Sequence, residues 1–224
     1  MKKIKNPLIR RIPKELIGDW KKYLVVFLFL VLTIGFVSGM YVANESMITS
    51  ANEGVTKYKQ EDGHFELKKQ ADATLLSAIE TGEKADFKAT KTTLYENFFR
   101  NEEEDYNNDG KKDGTIRVFA KTKDINLACM LQGSFPQKAD EIAIDRMHAD
   151  NVGIKVGDTV TVSGETYKVV GLLAYVNYST LHEKTTDLMF DALKFDVAMV
   201  TQDGFDRLHK SIHYTYAVSY THLT

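Results

Sequence analysis

The sequence predicts an α+β domain that follows one N-terminal transmembrane α-helix. Three observations predict it. An uncharged apolar run of 20 residues lies near the N-terminus, the charge changes sign across that run, and strand and helix patterns interleave through the residues beyond it.

The run is Tyr23–Val42, YLVVFLFLVLTIGFVSGMYV, and 13 of its 20 residues are Leu, Ile, Val or Phe. A helix of that length spans about 30 Å, the thickness of a bilayer's hydrocarbon core. These side chains together favour insertion by about 4 to 8 kcal/mol. Gly35, Ser38 and Gly39 are tolerated because lipid offers the backbone no partner other than the helix itself. A buried soluble helix would carry a polar stripe, and a cleavable leader has an apolar region of only about 7–15 residues. The pattern therefore predicts an uncleaved anchor at 23–42.

Residues 1–22 carry eight Lys/Arg and two acidic residues, and the remainder carries 21 basic against 29 acidic residues. Short basic flanks stay on the cytoplasmic side, so segment 1–22 is expected inside the plasma membrane and the main domain outside. The acidic main segment speaks against a nucleic-acid partner. Leu8, Ile9, Ile12, Leu16 and Trp20 recur at near-helical spacing opposite Arg10, Arg11 and Lys14, predicting an amphipathic helix from about Pro13 along the inner leaflet. Trp20, Lys21, Lys22 and Tyr23 are the expected membrane-interface residues, since aromatics and lysines favour the headgroup level.

Segment 43–217 is long enough for one domain with its own core. Ala43–Lys57 reads as a helical stalk continuing the span. Phe65 and Leu67 open a strand after Asp62-Gly63, and Ala71–Glu80 has helical spacing through Leu75, Leu76 and Ile79. Phe87–Phe99 and Thr115–Thr122 read as a strand pair closed by the polar run Asn101–Gly114, a long hairpin. The β-α-β-β order suggests a small sheet with helices on one face. Glu141–Asp145 reads as a strand, and Arg146–Val152 as a short helix ended by Gly153. Val156, Val160 and Val162, then Val169 and Leu172, alternate around Ser163-Gly164-Glu165, a hairpin. Asp187–Phe195 is amphipathic, Val197–Val200 a strand, and Asp203–Leu208 the start of a helix. Cys129 is the single cysteine, so an intrachain disulfide is impossible; its apolar neighbours predict that it is buried.

Motifs for chemistry are sparse. The Gly-rich phosphate loop ending in Gly-Lys-Ser/Thr is absent, as are Gly-x-Ser-x-Gly, His-Glu-x-x-His and any Cys/His set at zinc spacing. His209 and His213 stand four apart without a third ligand, and read as surface histidines. No catalytic residue and no cofactor is predicted. Asp105, Asn107, Asp109 and Asp113, with Gly110 between them, match the start of a calcium loop, but Ile116 stands where a bidentate acid belongs. A solvated hairpin tip built from turn-forming residues explains the same segment. The acidic run Glu102–Asp105 is expected to belong to that exposed tip.

Gly133-Ser-Phe-Pro-Gln-Lys-Ala-Asp-Glu141-Ile-Ala-Ile-Asp145, followed by Gly153-Ile-Lys-Val-Gly-Asp158-Thr-Val and Tyr167-Lys-Val-Val-Gly171, resembles the extracytoplasmic domain of FtsX/MacB-like ABC transporter permeases. Tyr178-Ser-Thr-Leu and Asp187-Leu-Met-Phe-Asp191-Ala-Leu-Lys-Phe195 resemble a version common in Gram-positive anaerobes. The resemblance covers nearly all of 1–217. It implies a domain of the MacB periplasmic core type and a non-catalytic permease subunit in the cell membrane. Its implied partners are a cytoplasmic ABC ATPase subunit and a second permease copy or homologue, with ATP hydrolysis by the partner driving export or mechanical signalling. It also implies further transmembrane helices after the external domain. The last seven residues, Val218–Thr224, look like translated sequencing-adapter DNA, so 218–224 is expected to be an adapter-derived tail on a fragment of a longer gene. The alternative is a single-pass anchored extracellular binding or sensor domain.

Overall fold

The computed structural model describes residues 11, 14, 17–81, 92–178, 180–184 and 186–220. The amphipathic helix expected from Pro13 falls largely outside them, as do residues 87–91 of the expected strand and residues 221–224 of the tail.

Helix α1, Trp20–Lys57, runs unbroken for 38 residues through the apolar run and the expected stalk. By length and composition it can cross a membrane. Its apolar side chains are exposed along the whole of the run.

From Gly54 onward the chain forms a separate compact unit. It is α+β, as expected. A three-stranded antiparallel sheet has the order β1-β10-β2, from β1 (Gly63–Leu67), β2 (Thr92–Glu96) and β10 (Tyr214–Tyr220). Phe65 stacks on Tyr216, and Phe98 meets the edges of Tyr214 and Tyr216, which gives this small sheet an aromatic face. Helix α2, Ala73–Thr81, reaches the sheet through the Glu80 carboxylate, which accepts the Leu94 N–H at 2.9 Å.

The larger sheet contains β3 (Phe99–Asp105), β4 (Gly114–Ala120), β5 (Cys129–Gly133), β6 (Glu141–Asp145), β7 (Thr159–Val162), β8 (Glu165–Ala174) and β9 (Phe195–Val200). Its order is β5-β8-β6-β9-β4-β3-β7, and β7 also pairs with β8. Strand β8 is long enough to serve both: Glu165–Lys168 pair with β7, and Lys168–Leu173 with β6. The pairing of six strands thus closes on itself through β8, with β5 outside the ring. Pairs β4–β9 and β6–β8 are parallel and the others antiparallel.

Period-2 alternation divides these strands between two cores. Ile116, Val118, Ile142, Ile144, Val160, Val162, Ala198 and Val200 fill one, together with Ala149 and Phe205 of the short helices α3 (Arg146–Val152) and α4 (Gln202–Asp206). Phe119, Ala143, Leu173, Phe195, Val197 and Met199 fill the other. The Ser163-Gly164 turn has φ of +48° and +86°, the mirror-image geometry that matches strand twist. Gly133 and Gly171 face each other where β5 crosses β8. A Cβ on Gly171 would sit 2.5 Å from the Ser134 carbonyl oxygen and 2.8 Å from Met130 Sδ.

Several expectations are corrected. The strand drawn from Phe87 to Phe99 is broken at Asn97-Phe98: β2 joins the small sheet, and β3 continues into the polar run. The acidic run Glu102–Asp105 is therefore strand rather than exposed tip. Its alternate residues Glu102 and Glu104 are buried because the pleat turns them to the side of Ile116. Residues 187–194 form bends and turns ahead of β9, leaving Leu188 98% exposed; the Asp191 carboxylate accepts the Leu193 N–H at 3.1 Å and so competes with helix. Cys129 is half-buried on β5, with the Tyr58 hydroxyl 2.8 Å from its sulfur. Strands β5 and β10 were not expected. Of the expected tail, Val218–Tyr220 lie in β10, where Val218 pairs with both Gly63 and Leu94.

Candidate functional site

Two places in the α+β unit concentrate polar groups where burial makes them costly. One is a cluster inside the larger sheet. Glu104 comes from β3, Asp196 from β9 and His148 from the middle of α3, and all three are 0% exposed. Register explains the convergence. Glu104 is opposite Gly114 of β4, and Asp196 is opposite Ile116 of the same strand, so both carboxylates share the face that carries Ile116 and Val118. Helix α3 is held above that face by its N-cap: the Asp145 carboxylate accepts Met147 N–H at 2.7 Å and His148 N–H at 3.4 Å.

Within the cluster, His148 Nε2 lies 3.4 Å from Glu104 Oε1. His148 Nδ1 lies 2.7 Å from the Ala192 carbonyl oxygen, which only an N–H at that nitrogen can satisfy. Asp196 Oδ1 accepts N–H groups of Val197 at 2.7 Å and Asp145 at 3.2 Å. Both Glu104 oxygens, His148 Nε2 and Asp196 Oδ2 have no hydrogen-bond partner among the described residues. Burial acts to lower the imidazole's pKa, but the negative charge of Asp196, the contact with Glu104 and the Ala192 carbonyl outweigh it and push His148 up to about 9. Burial raises Asp196 well above the ordinary carboxylate range, opposed in part by His148.

The second place is a cleft of ≈ 530 Å³ whose walls include β1 and β10 of the small sheet and β3 and β4 of the larger one. Arg117 occupies it. Its guanidinium donates to Asn101 Oδ1 at 2.9 Å, the Tyr178 hydroxyl at 3.0 Å and the Glu183 carbonyl at 3.0 Å. Phe99 and Phe195 lie against the same group, with centroids at 4.4 and 5.2 Å. Burial raises the Tyr178 phenol, and Arg117 opposes that rise. Glu61 and Asn126 bind reciprocally at the rim, at 2.6 and 3.0 Å, and Glu61 also meets His64 Nδ1 at 2.8 Å.

The residues singled out from sequence lie elsewhere. Trp20 and Tyr23 are about half exposed in the first turn of α1, and Lys22 pairs with Asp19 at 3.0 Å. Asp105, Asn107, Asp109 and Asp113 gather in the β3–β4 connection, where their oxygens accept loop N–H groups. Asp105 receives Asp109 and Gly110, Asn107 receives Asp109, Asp109 receives Lys111, and Asp113 receives Tyr106. His209 and His213 do not converge: His209 faces Glu165 at 4.0 Å, while His213 pairs with Glu66 at 2.8 Å and stacks on Phe99.

The Glu104–His148–Asp196 cluster escaped sequence reading because its members lie on three separated segments. Strand β3 reads Phe-Arg-Asn-Glu-Glu-Glu-Asp, with no apolar alternation to mark Glu104 as inward-facing.

No family model matches the chain, and no curated protein matches it. Solved structures do overlap it. One is the periplasmic region of MacB from Actinobacillus actinomycetemcomitans, at TM-score 0.38 and 8% identity, covering 64% of this chain and 64% of that one. Another is the extracellular domain of the noncanonic ABC-type transporter YknZ from Gram-positive bacteria, at TM-score 0.36 and 13% identity, covering 70% of this chain and 83% of that one. The chain thus spans 64% of the length of the MacB periplasmic region.

Proposed function

We propose that the chain is the first span and external domain of an FtsX/MacB-like ABC transporter permease, a non-catalytic subunit of the cell membrane. The observation that carries the reading is the continuity of α1: one helix includes the apolar run and the polar residues up to Lys57, and the α+β unit follows directly. The residues of the sequence resemblance support it. Gly133–Asp145 supplies β6 and the last residue of β5, Gly153–Val160 leads into β7, and Tyr167–Gly171 forms the middle of β8; β6, β8 and β7 are neighbours in the sheet.

In this proposal segment 1–22 is cytoplasmic, 23–42 spans the bilayer with Trp20, Lys21, Lys22 and Tyr23 at its inner interface, and 43–217 is extracytoplasmic. Hydrolysis of ATP by a cytoplasmic ATPase subunit tilts or rotates the span, and α1 carries that motion outward. A second permease copy or homologue completes the membrane unit. Residues 218–224 are adapter-derived, which the genomic nucleotides after the Ala217 codon test directly.

The deciding experiment is affinity purification of the protein from its intact gene in its own membranes. An ATPase subunit that co-purifies in stoichiometric amount supports the permease, and its absence at full membrane recovery refutes it. The cleft around Arg117 favours a second reading, a single-pass anchored binding or sensor domain. That reading gains if the intact gene encodes no further spans and no ATPase gene adjoins it.

A further inference from the structure

We propose that Glu104, His148 and Asp196 form a buried site for one divalent transition-metal ion, with Zn²⁺ the ion best suited to its donors. The three ligand atoms lie within 4.8 Å of one another, and each residue is completely buried. Across the three residues, four buried polar atoms have no hydrogen-bond partner among the described residues: Glu104 Oε1 and Oε2, His148 Nε2 and Asp196 Oδ2. Leaving a buried polar atom unsatisfied costs about 1–3 kcal/mol, more for a charged group, so three residues that bring such atoms together call for a common partner.

Geometry favours an ion over a direct hydrogen bond. The His148 Nε2 to Glu104 Oε1 separation of 3.4 Å is longer than a charge-assisted hydrogen bond. It matches the edge between two ligands, each about 2.1 Å from a tetrahedral centre, which is about 3.4 Å. The surrounding contacts are those that prepare ligands for a metal. The Ala192 carbonyl takes the proton on His148 Nδ1, so Nε2 is the nitrogen aimed into the cluster, and an ion bound there displaces the Nε2 proton. The N–H groups of Asp145 and Val197 hold Asp196 Oδ1, so Oδ2 faces inward. Both Glu104 oxygens are available, and a bidentate carboxylate brings the donors to four atoms from three residues.

Charge points the same way. Once an ion has displaced their protons, two carboxylates and a neutral imidazole carry two negative charges, which a divalent cation neutralises. One nitrogen donor among oxygens disfavours Ca²⁺ and Mg²⁺, which take oxygen ligands, and suits Zn²⁺ or its neighbours Mn²⁺ and Co²⁺. Such an ion would tie β3, α3 and β9 together inside the external unit, a structural role independent of the permease reading.

The full chain, purified in detergent and stripped with chelator, is titrated with Zn²⁺ by calorimetry and with Co²⁺ by visible absorption. The expected result is one equivalent bound, a higher thermal midpoint, and a Co²⁺ spectrum of nitrogen and oxygen ligation. Glu104→Gln and His148→Gln should each weaken binding more than about tenfold, while His209→Gln, at an exposed position, leaves it unchanged. No stoichiometric binding by the folded wild-type chain overturns the proposal, as does undiminished binding in the folded Glu104→Gln and His148→Gln chains. If those variants do not fold, ¹⁵N-histidine spectra of the wild type decide. A Zn²⁺-dependent shift of the His148 Nε2 resonance supports the site, and an unmoved resonance refutes it.

Discussion

The guanidinium of Arg117 lies 4.4 Å from the ring centroid of Phe99, the first residue of β3. Arg117 itself is on β4, two residues before Phe119, which pairs with Phe99 across the hairpin. The planar cation therefore lies over the face of a ring while its edge donates to Asn101, Tyr178 and Glu183. Only arginine has both the flat face and the fork.

Arg117→Lys should accordingly destabilise the α+β unit although charge is kept. Loss of charge-assisted hydrogen bonds of this kind costs about 1.5–3 kcal/mol. Urea unfolding followed by tyrosine fluorescence measures it, and an unchanged midpoint would show that the fork contributes nothing.

Gly171→Ala places a methyl group 2.5 Å from the Ser134 carbonyl oxygen. Backbone cannot yield as a flexible side chain does, so β5 must move away from β8. The expected cost is about 1–3 kcal/mol, typical of overpacking. Faster hydrogen exchange at the Ser134 N–H, which donates to Val170 at 2.9 Å, would locate the damage.

Asp145→Ala removes the acceptor for the first N–H groups of α3 and should cost about 0.5–2 kcal/mol. Asp145→Asn should cost less, because an amide oxygen still caps. Equal losses in the two variants would mean that the cap is not the source of the effect.

His64 is expected to titrate above its ordinary value of 6.5. The hydrogen bond with Glu61 raises it, and partial burial opposes that rise. A folded-state value above the unfolded one stabilises the fold fully below pH 6.5, and the contribution disappears as pH rises through the raised value. Exposure to solvent keeps the effect small. Imidazole proton shifts read the midpoint directly. A His64 midpoint at or below 6.5 contradicts the expectation, and His64→Gln should remove this part of the pH dependence.

Leu32→Arg tests the membrane reading. Leu32 is 70% exposed near the middle of the apolar run, where arginine costs about 2.5–3.5 kcal/mol on insertion. The inserted fraction in a translocon assay should fall sharply. Carbonate extraction that releases the wild-type chain from vesicles would refute the anchor itself.

Sequence alone determined whatever depends on neighbours along the chain. Helix α1 follows from a run of apolar residues, and its extension to Lys57 from the same helical pattern continuing. Strand β6, helix α3 and the β7–β8 hairpin follow from alternation, a terminating Gly153 and the Ser163-Gly164 turn. In each case a single local periodicity or turn signal dominates. Tertiary structure decided the rest. Composition marked Glu102–Asp105 as a solvated tip, yet antiparallel pairing with β4 made it a strand and buried alternate residues. Only the joining of β3, β9 and α3 brought Glu104, Asp196 and His148 within reach of one another. Strand pairing is non-local, and its register decides which face each side chain occupies, so meetings of this kind leave no mark in local sequence.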